Sequence, residues 1–339
     1  MKNLINKKIT RVLPIVFILF WTGCEDLDFP DPNNPTDDTA TIQSLVTGSE
    51  AGLRSGFGVY MRDLLVIGRE AYYLEPADPR YTGELLTGPI DPGGFLCYTP
   101  WAANYKVVKN CLTILNSNDA DNGAKGFAQT LQAYCLMRVL NLTDTNGARL
   151  NYDGDINVDV ATKAEVLAEI ESLLDAGLSN LQSAESSFSF TLSSGFDSFN
   201  TPATFAHFNR GLRARIAVLQ DDWSAAQIAL TSCADWMNSS DDDMGVYHVF
   251  SSGANDGDNQ MYEASDAATI KLMVHPSYLT DAESGDTRLT SNVVVRSDTI
   301  KYDGLESYLA PTVYSGSYDP VPIIKAVELQ LLQAEVHIG

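Results

Sequence analysis

One group of side chains in this 339-residue sequence combines types and spacing suited to recognition chemistry. Tyr72, Tyr73, Tyr81, Tyr98, Trp101 and Tyr105 gather in a single stretch, with Arg69, Glu75, Asp78 and Arg80 among them. Aromatic faces beside Arg and Asp suit a sugar, whose C–H face stacks on a ring while its hydroxyls bond the charged groups. Trp101 and Tyr105 stand four apart at a helix start, which also suits a core. Tyr81 and Tyr98 fall where little regular structure is expected. They are therefore taken as the freer, solvent-facing pair.

A second chemistry is covalent. Lys2, Lys7, Lys8 and Arg11 precede an apolar run from Val12 to Trp21, and the small residues Thr22 and Gly23 lead into Cys24. That order is the layout of a secretory signal. The run is about half of the ~20 residues a spanning helix needs, and Pro14 interrupts it. A cysteine directly after the small pair resembles the lipobox of bacterial lipoproteins, with Trp21 where Leu usually stands. The expectation is a lipidated Cys24 at a new N-terminus, after removal of residues 1–23.

The search for catalysis is negative. His207, His248, His275 and His337 are scattered, with no HExxH, G-x-S-x-G or P-loop pattern. Gly56-Phe57-Gly58 lacks the third glycine of a dinucleotide loop. Asp153, Asp155, Asn157 and Asp159 alternate as calcium ligands do, but Ile or Val stands where that loop needs Gly. No enzyme activity, cofactor or metal is expected. Carboxylates are too abundant for any one pair to indicate a glycosidase, which stays a rival to be tested by product release. Cys97, Cys111, Cys135 and Cys233 form no CxxC pair; core thiols are the first reading, with a disulfide left open.

Lys and Arg number 22 against 44 Asp and Glu, a formal net charge of −22. Loss of residues 1–23 removes basic residues and no acidic ones. Such a field disfavours nucleic acid and anionic head groups, so a lipid rather than electrostatics must hold the protein at a membrane.

These side chains need positioning elements. Residues 24–38 carry Pro, Asn and Asp without a helical period and read as a flexible tether. Residues 39–339 read as one mainly α domain with long irregular loops and a few short strands. Helical faces are expected at Ile42–Leu53, at Tyr105–Leu115 and from Phe127 to about Asn141. Thr162 and Glu165 form a capping box for a helix bearing Val166, Ile170, Leu174 and Leu181. Thr201-Pro202 starts another, and Asp222 caps a partner running to Trp236. The latter two make an antiparallel pair of tetratricopeptide-like length, with Ala214, Ala226 and Cys233 at the close-crossing spacing. Residues 72–100 and 238–320 are expected to be irregular, with strand-like runs at 246–250, 269–274 and 292–296. Pro322 to His337 reads as a closing helix with Ile324, Val327, Leu331, Ala334 and Ile338 on its apolar face. The pattern stops without a cap, so the chain is expected to be truncated.

In order along the chain, Cys24-Glu-Asp-Leu-Asp with Asn33-Asn34-Pro35, Gly68-Arg69-Glu70-Ala71-Tyr72, Asp78-Pro79-Arg80-Tyr81 and Trp101-x-x-x-Tyr105 precede FNRGLRARIAVLQDDWSAAQIAL at 208–230. Gly285-Asp286-Thr287-Arg288-Leu289 and PIIKAVELQLLQAEV at 322–336 follow. Together they resemble the SusD/RagB family of outer-membrane nutrient-uptake lipoproteins. The resemblance implies tetratricopeptide-like helical hairpins as scaffold and irregular loops as ligand face. It also implies a surface-exposed, lipid-anchored outer-membrane protein that caps a TonB-dependent SusC-like transporter. The cargo would be oligosaccharides or, in some members, peptides. Arg80, Tyr81, Tyr98 and Trp101 are the ligand candidates it supports. The alternative is a helical-repeat scaffold for envelope proteins without a small ligand.

Overall fold

The computed structural model describes residues 40–339 except 153, 156, 254 and 255. Cys24, the signal segment, the tether and Asp153 lie outside the described residues.

The chain begins with α1 (Ile42–Arg54) and α2 (Phe57–Ile67), separated by Gly56 in the left-handed region at φ 63°. Strand β1 (Ala71–Tyr73) and the short α3 (Arg80–Thr87) lead into the long α4 (Phe95–Asn116). Helix α5 (Asn122–Thr143) is capped by Asp121, whose carboxylate accepts from Ala124 N. It carries apolar or small residues on every face and is buried nearly all round, the pattern of a central helix. Helix α6 (Lys163–Gln182) opens on the Thr162–Glu165 capping box. Helix α7 (Pro202–Leu219) has Pro202 in its first turn and a Thr201–Thr204 box, and α8 (Trp223–Ser232) is capped by Asp222.

Each helix packs on the next: α1 on α4, α4 on α5, α5 on α6, α6 on α7 and α7 on α8. Ala214, Ala226 and Cys233 are fully buried, as the close-crossing spacing requires. The helix after Asp222 is shorter than expected. It breaks at Cys233 (φ −123°, ψ 28°) and resumes as the single turn α9 (Ala234–Met237), which buries Trp236.

The second half of the chain supplies β2 (Gly245–His248), β3 (Leu272–Val274), α10 (Ser277–Thr280), α11 (Arg288–Ser291), β4 (Val293–Tyr302), β5 (Leu305–Pro311) and β6 (Val321–Lys325). Among the described residues these form two-stranded antiparallel sheets, β1–β3, β2–β6 and β4–β5. Helix α12 (Ala326–Ile338) then closes on α7, α8 and α9.

Two expectations need correction. Residues 72–100 are not irregular: α3 lies within them, and α4 starts at Phe95 with Pro100 inside it. Near a helix start a proline breaks little, because the first N–H groups have no partner within the helix. The closing segment is not wholly helical either. Residues 321–325 pair with β2, and the helix starts only at Ala326. Its buried face is Ala326, Leu329 and Leu332, whereas Leu331 (61% exposed) and Ile338 (87%) of the expected stripe face outward. The strand sets the helix entry, and the Arg215–Glu328 ion pair (2.7 Å) fixes its rotation.

Two carboxyls are buried in the first helices. Burial raises Glu50 to about 7 although Ser193 N donates to it, and raises Asp63 to about 8 despite nearby Arg62. Between the ordinary carboxylate range and these values, the native chain holds protons that the unfolded chain has released. The stability these two groups contribute is therefore fully present below about pH 4 and is lost as pH rises through about 7 to 8. The thermal midpoint should fall by at least about 2 °C between pH 5 and pH 8. Asp63→Asn should flatten that slope in calorimetric scans; an unchanged slope would remove Asp63 as its source.

Candidate functional site

The candidate site forms where α3 and the first turns of α4 rest on one hydrophobic cluster. Val66 of α2, Ala71 and Tyr73 of β1, Tyr81 and Leu85 of α3, Leu96 of α4, Met261 and Leu272 make its buried part. Phe95, Met61, Leu65 and Tyr314 pack against it half-buried.

Tyr81 belongs to this core, not to the surface. It is 5% exposed, with its ring centroid 4.5 Å from Tyr73 and 5.5 Å from Phe95 in edge-on contacts. Burial pushes its phenol up to about 12. The solvent-facing reading of Tyr81 fails because α3 is helical and turns Tyr81, Thr82 and Leu85 inward.

Arg80, one residue earlier, points the other way. Its guanidinium lies 4.3 Å from the Phe95 ring centroid. Nε and Nη2 donate to the two oxygens of Asp78 at 2.9 and 2.8 Å. That pairing holds the Asp78 carboxyl below the usual range. Arg80 is thus pinned flat on a ring at an exposed edge.

Tyr98 is 60% exposed, as expected of a free ring. It stands on α4 rather than on a loop, one turn beyond Phe95. Trp101 follows after another turn, half-buried, with its ring 4.5 Å from Tyr105. The Tyr105 hydroxyl donates to Arg149 O (2.9 Å) and accepts from Arg149 N (2.8 Å), which fixes the lower end of the row.

Phe95, Tyr98, Trp101 and Tyr105 therefore share one side of α4 at spacings of three and four residues. At 1.5 Å per residue, Tyr98 to Tyr105 spans roughly 10 Å, comparable to the length of a disaccharide. Sequence reasoning passed over Phe95, although its i, i+3 relation to Tyr98 was the available signal. The row offers stacking surfaces with Arg80 and Asp78 at one end, an arrangement that can hold a ligand by ring contacts and charged hydrogen-bonding groups.

Among the described residues no cluster of His, Cys, Asp and Glu could hold a metal. Cys97 is half-buried, Cys111, Cys135 and Cys233 are buried, and all are free thiols. None of the described helices is long and apolar enough to cross a membrane.

No protein-family model and no curated protein matches this chain by sequence. Solved structures do match it by fold. A SusD/RagB family protein from Bacteroides thetaiotaomicron aligns with a TM-score of 0.65 at 16% identity, covering 87% of this chain and 66% of that one. A SusD-like protein from the same organism gives 0.63 at 15% identity, covering 87% and 65%. A laminarin-binding SusD-like protein gives 0.52 at 13% identity, covering 86% and 80%. The fold is that of the SusD/RagB proteins: mainly α, with tetratricopeptide-like hairpins. The chain spans about two thirds of the length of the first two structures it matches.

The two tyrosines should separate in a stability measurement. Tyr81→Ala should lower unfolding free energy by about 3–5 kcal/mol, as large aromatic truncations in cores do. Tyr98→Ala should stay within about 0.5 kcal/mol of the parent in the same urea titration. Equal losses would place Tyr98 in the core and dissolve the exposed row.

Proposed function

We propose that the protein is a surface lipoprotein that binds a nutrient oligosaccharide and delivers it to a TonB-dependent, SusC-like outer-membrane transporter. The observation that carries this reading is the row of rings on α4, with Tyr98 exposed and Arg80 held on Phe95, in a SusD/RagB fold. A structural neighbour described as laminarin-binding supports a glycan as cargo. The protein performs no reaction in this reading. It holds the ligand by stacking and by hydrogen bonds to charged edges, and releases it unchanged.

Stacking on Tyr98 should contribute about 1 kcal/mol, or about fivefold in affinity. Electrophoresis through gels containing a polysaccharide panel, laminarin included, should show retardation by at least one glycan. Calorimetric titration with oligosaccharides of that glycan should then show Tyr98→Ala weakened by about that factor, with an unchanged melting temperature. Undiminished affinity would take Tyr98 out of the site, and absence of retardation across the panel would count against glycan cargo.

Membrane attachment in this reading is through Cys24. In a diderm host fed labelled palmitate, the full chain should carry label and Cys24→Ala should not. Equal labelling of the two would overturn the anchor.

A further inference from the structure

The hydrophobic cluster that supports the aromatic row also walls a separate concavity. A cavity of about 230 Å³ is lined almost wholly by apolar side chains, among them Met61, Leu65, Met261, Val293 and Val313. Glu70 and Tyr278 stand at its edge and also line an adjoining polar cleft of about 310 Å³. Arg69, Asp281, Asp286 and Arg288 line that cleft as well.

The charges of the cleft are not balanced among themselves. Asp286 is taken by Arg288, whose Nε donates to it at 2.9 Å. Among the described residues Arg69 has no carboxylate partner: its guanidinium donates to the carbonyls of Val66 (3.3 Å) and Leu86 (3.4 Å). Glu70 forms no ion pair among the described residues. These neighbours in sequence do not pair with each other. Arg69 sits in the left-handed region at φ 62°, a conformation that non-glycine residues rarely adopt. The result, among the described residues, is one cation, Arg69, and two carboxylates, Glu70 and Asp281, without ion pairs beside the mouth of an apolar cavity.

We propose that this cleft is a second binding site, for the charged end of a molecule bearing a large apolar side chain. The ligand chemistry is an α-ammonium or α-carboxylate group beside an aromatic or branched aliphatic group. It is met in a free apolar amino acid and at the terminus of a peptide. The apolar group enters the cavity, whose volume accommodates one such side chain. Arg69 takes the carboxylate with its fork of donors, and Glu70 takes the ammonium. A bare sugar does not fit the cavity, because its hydroxyls would lose water there and find almost no partners.

The full chain should be titrated calorimetrically with L-phenylalanine, Gly-Phe and Phe-Gly. N-acetylphenylalanine amide and phenyl β-glucoside serve as probes with the same ring and no charge. At least one charged probe should bind, and the uncharged ones should bind about tenfold or more weakly, as expected on loss of charge-assisted hydrogen bonds. Binding of phenylalanine alone would assign the site to free amino acids; binding of a dipeptide would assign it to a peptide end. Val293→Trp, which fills the cavity, and Arg69→Ala should each weaken the charged probe by about tenfold or more, with the melting temperature and glycan binding unchanged. The proposal falls if no charged probe binds. It falls equally if an uncharged probe matches phenylalanine, or if both variants bind as the parent does.

Discussion

Helices α5 and α6 approach closely at two facing glycines, and much of the helical array is arranged around that seam. A Cβ on Gly126 would meet Leu181 Cγ at 2.6 Å and the Gly177 carbonyl oxygen at 3.0 Å. A Cβ on Gly177 would meet Thr130 Oγ1 at 3.1 Å and Asn209 Nδ2 at 3.0 Å. Glycine inside a helix costs roughly 0.5–1 kcal/mol against alanine, so each is kept for the approach it permits. The seam is closed by Asn209 of α7, whose amide donates to Thr130 Oγ1 (2.8 Å) and Leu174 O (3.0 Å). Its oxygen accepts from Arg210 Nε at 2.8 Å, and Arg210 reaches Asp175 at 2.9 Å. Every polar end of the buried amide is thus used, and α5, α6 and α7 are locked in one register. Helix α4 lies on the other side of α5, so this seam also determines where the aromatic row stands.

A second buried device ties the N-terminal helices to that frame. Arg138 of α5 is 2% exposed, and its Nε and Nη2 find no hydrogen-bond partner among the described residues. Its Nη1 donates to Leu53 O at the end of α1 (2.8 Å), and its guanidinium lies 4.7 Å from the Tyr60 ring and 5.4 Å from Phe57. Rings stabilise a desolvated cation by up to about 2 kcal/mol, which offsets part of its burial. Burial and Arg138 together hold the neighbouring His248 well below its ordinary value, so it stays neutral. Through Phe57 and Tyr60 the arrangement fixes α2, whose other residues Met61 and Leu65 wall the apolar cavity.

Much of the scaffold was legible because its signals are local. Capping at Thr162, Thr201 and Asp222 depends on residues three positions apart, and each appears where the pattern placed it. The run at 269–274 contains β3, and those at 246–250 and 292–296 overlap β2 and the first part of β4, which runs on to Tyr302. Part of what escaped depends on distant partners. Strands β1 and β6 are short and pair with segments remote in sequence, whereas β5 pairs with β4 across the Asp303-Gly304 turn, a local signal that was passed over. Pro322 in β6 read as a helix start because Ile324, Val327, Leu331, Ala334 and Ile338 continue a helical period. The site was legible in composition but not in orientation. Arg80 and Tyr98 stand exposed, while Tyr81 turns inward because its neighbour Tyr73 arrives on β1, a strand the pattern did not show, paired with Leu272 of β3.

The same cluster underlies both surfaces proposed for a protein of formal net charge −22. A strongly acidic body disfavours polyanions, and neither proposed ligand is one. Stacking on Tyr98 in the proposed glycan row needs no ligand charge. The proposed cleft would meet a zwitterion with Arg69 and Glu70. Phe95 packs on the cluster from the row, and Met61, Leu65 and Met261 belong to both cluster and cavity. Neither surface therefore relies on a loose loop for its apolar floor. Rings and aliphatic groups fixed by packing lose little conformational entropy on binding, so even a single stacking contact or one filled cavity can yield usable affinity.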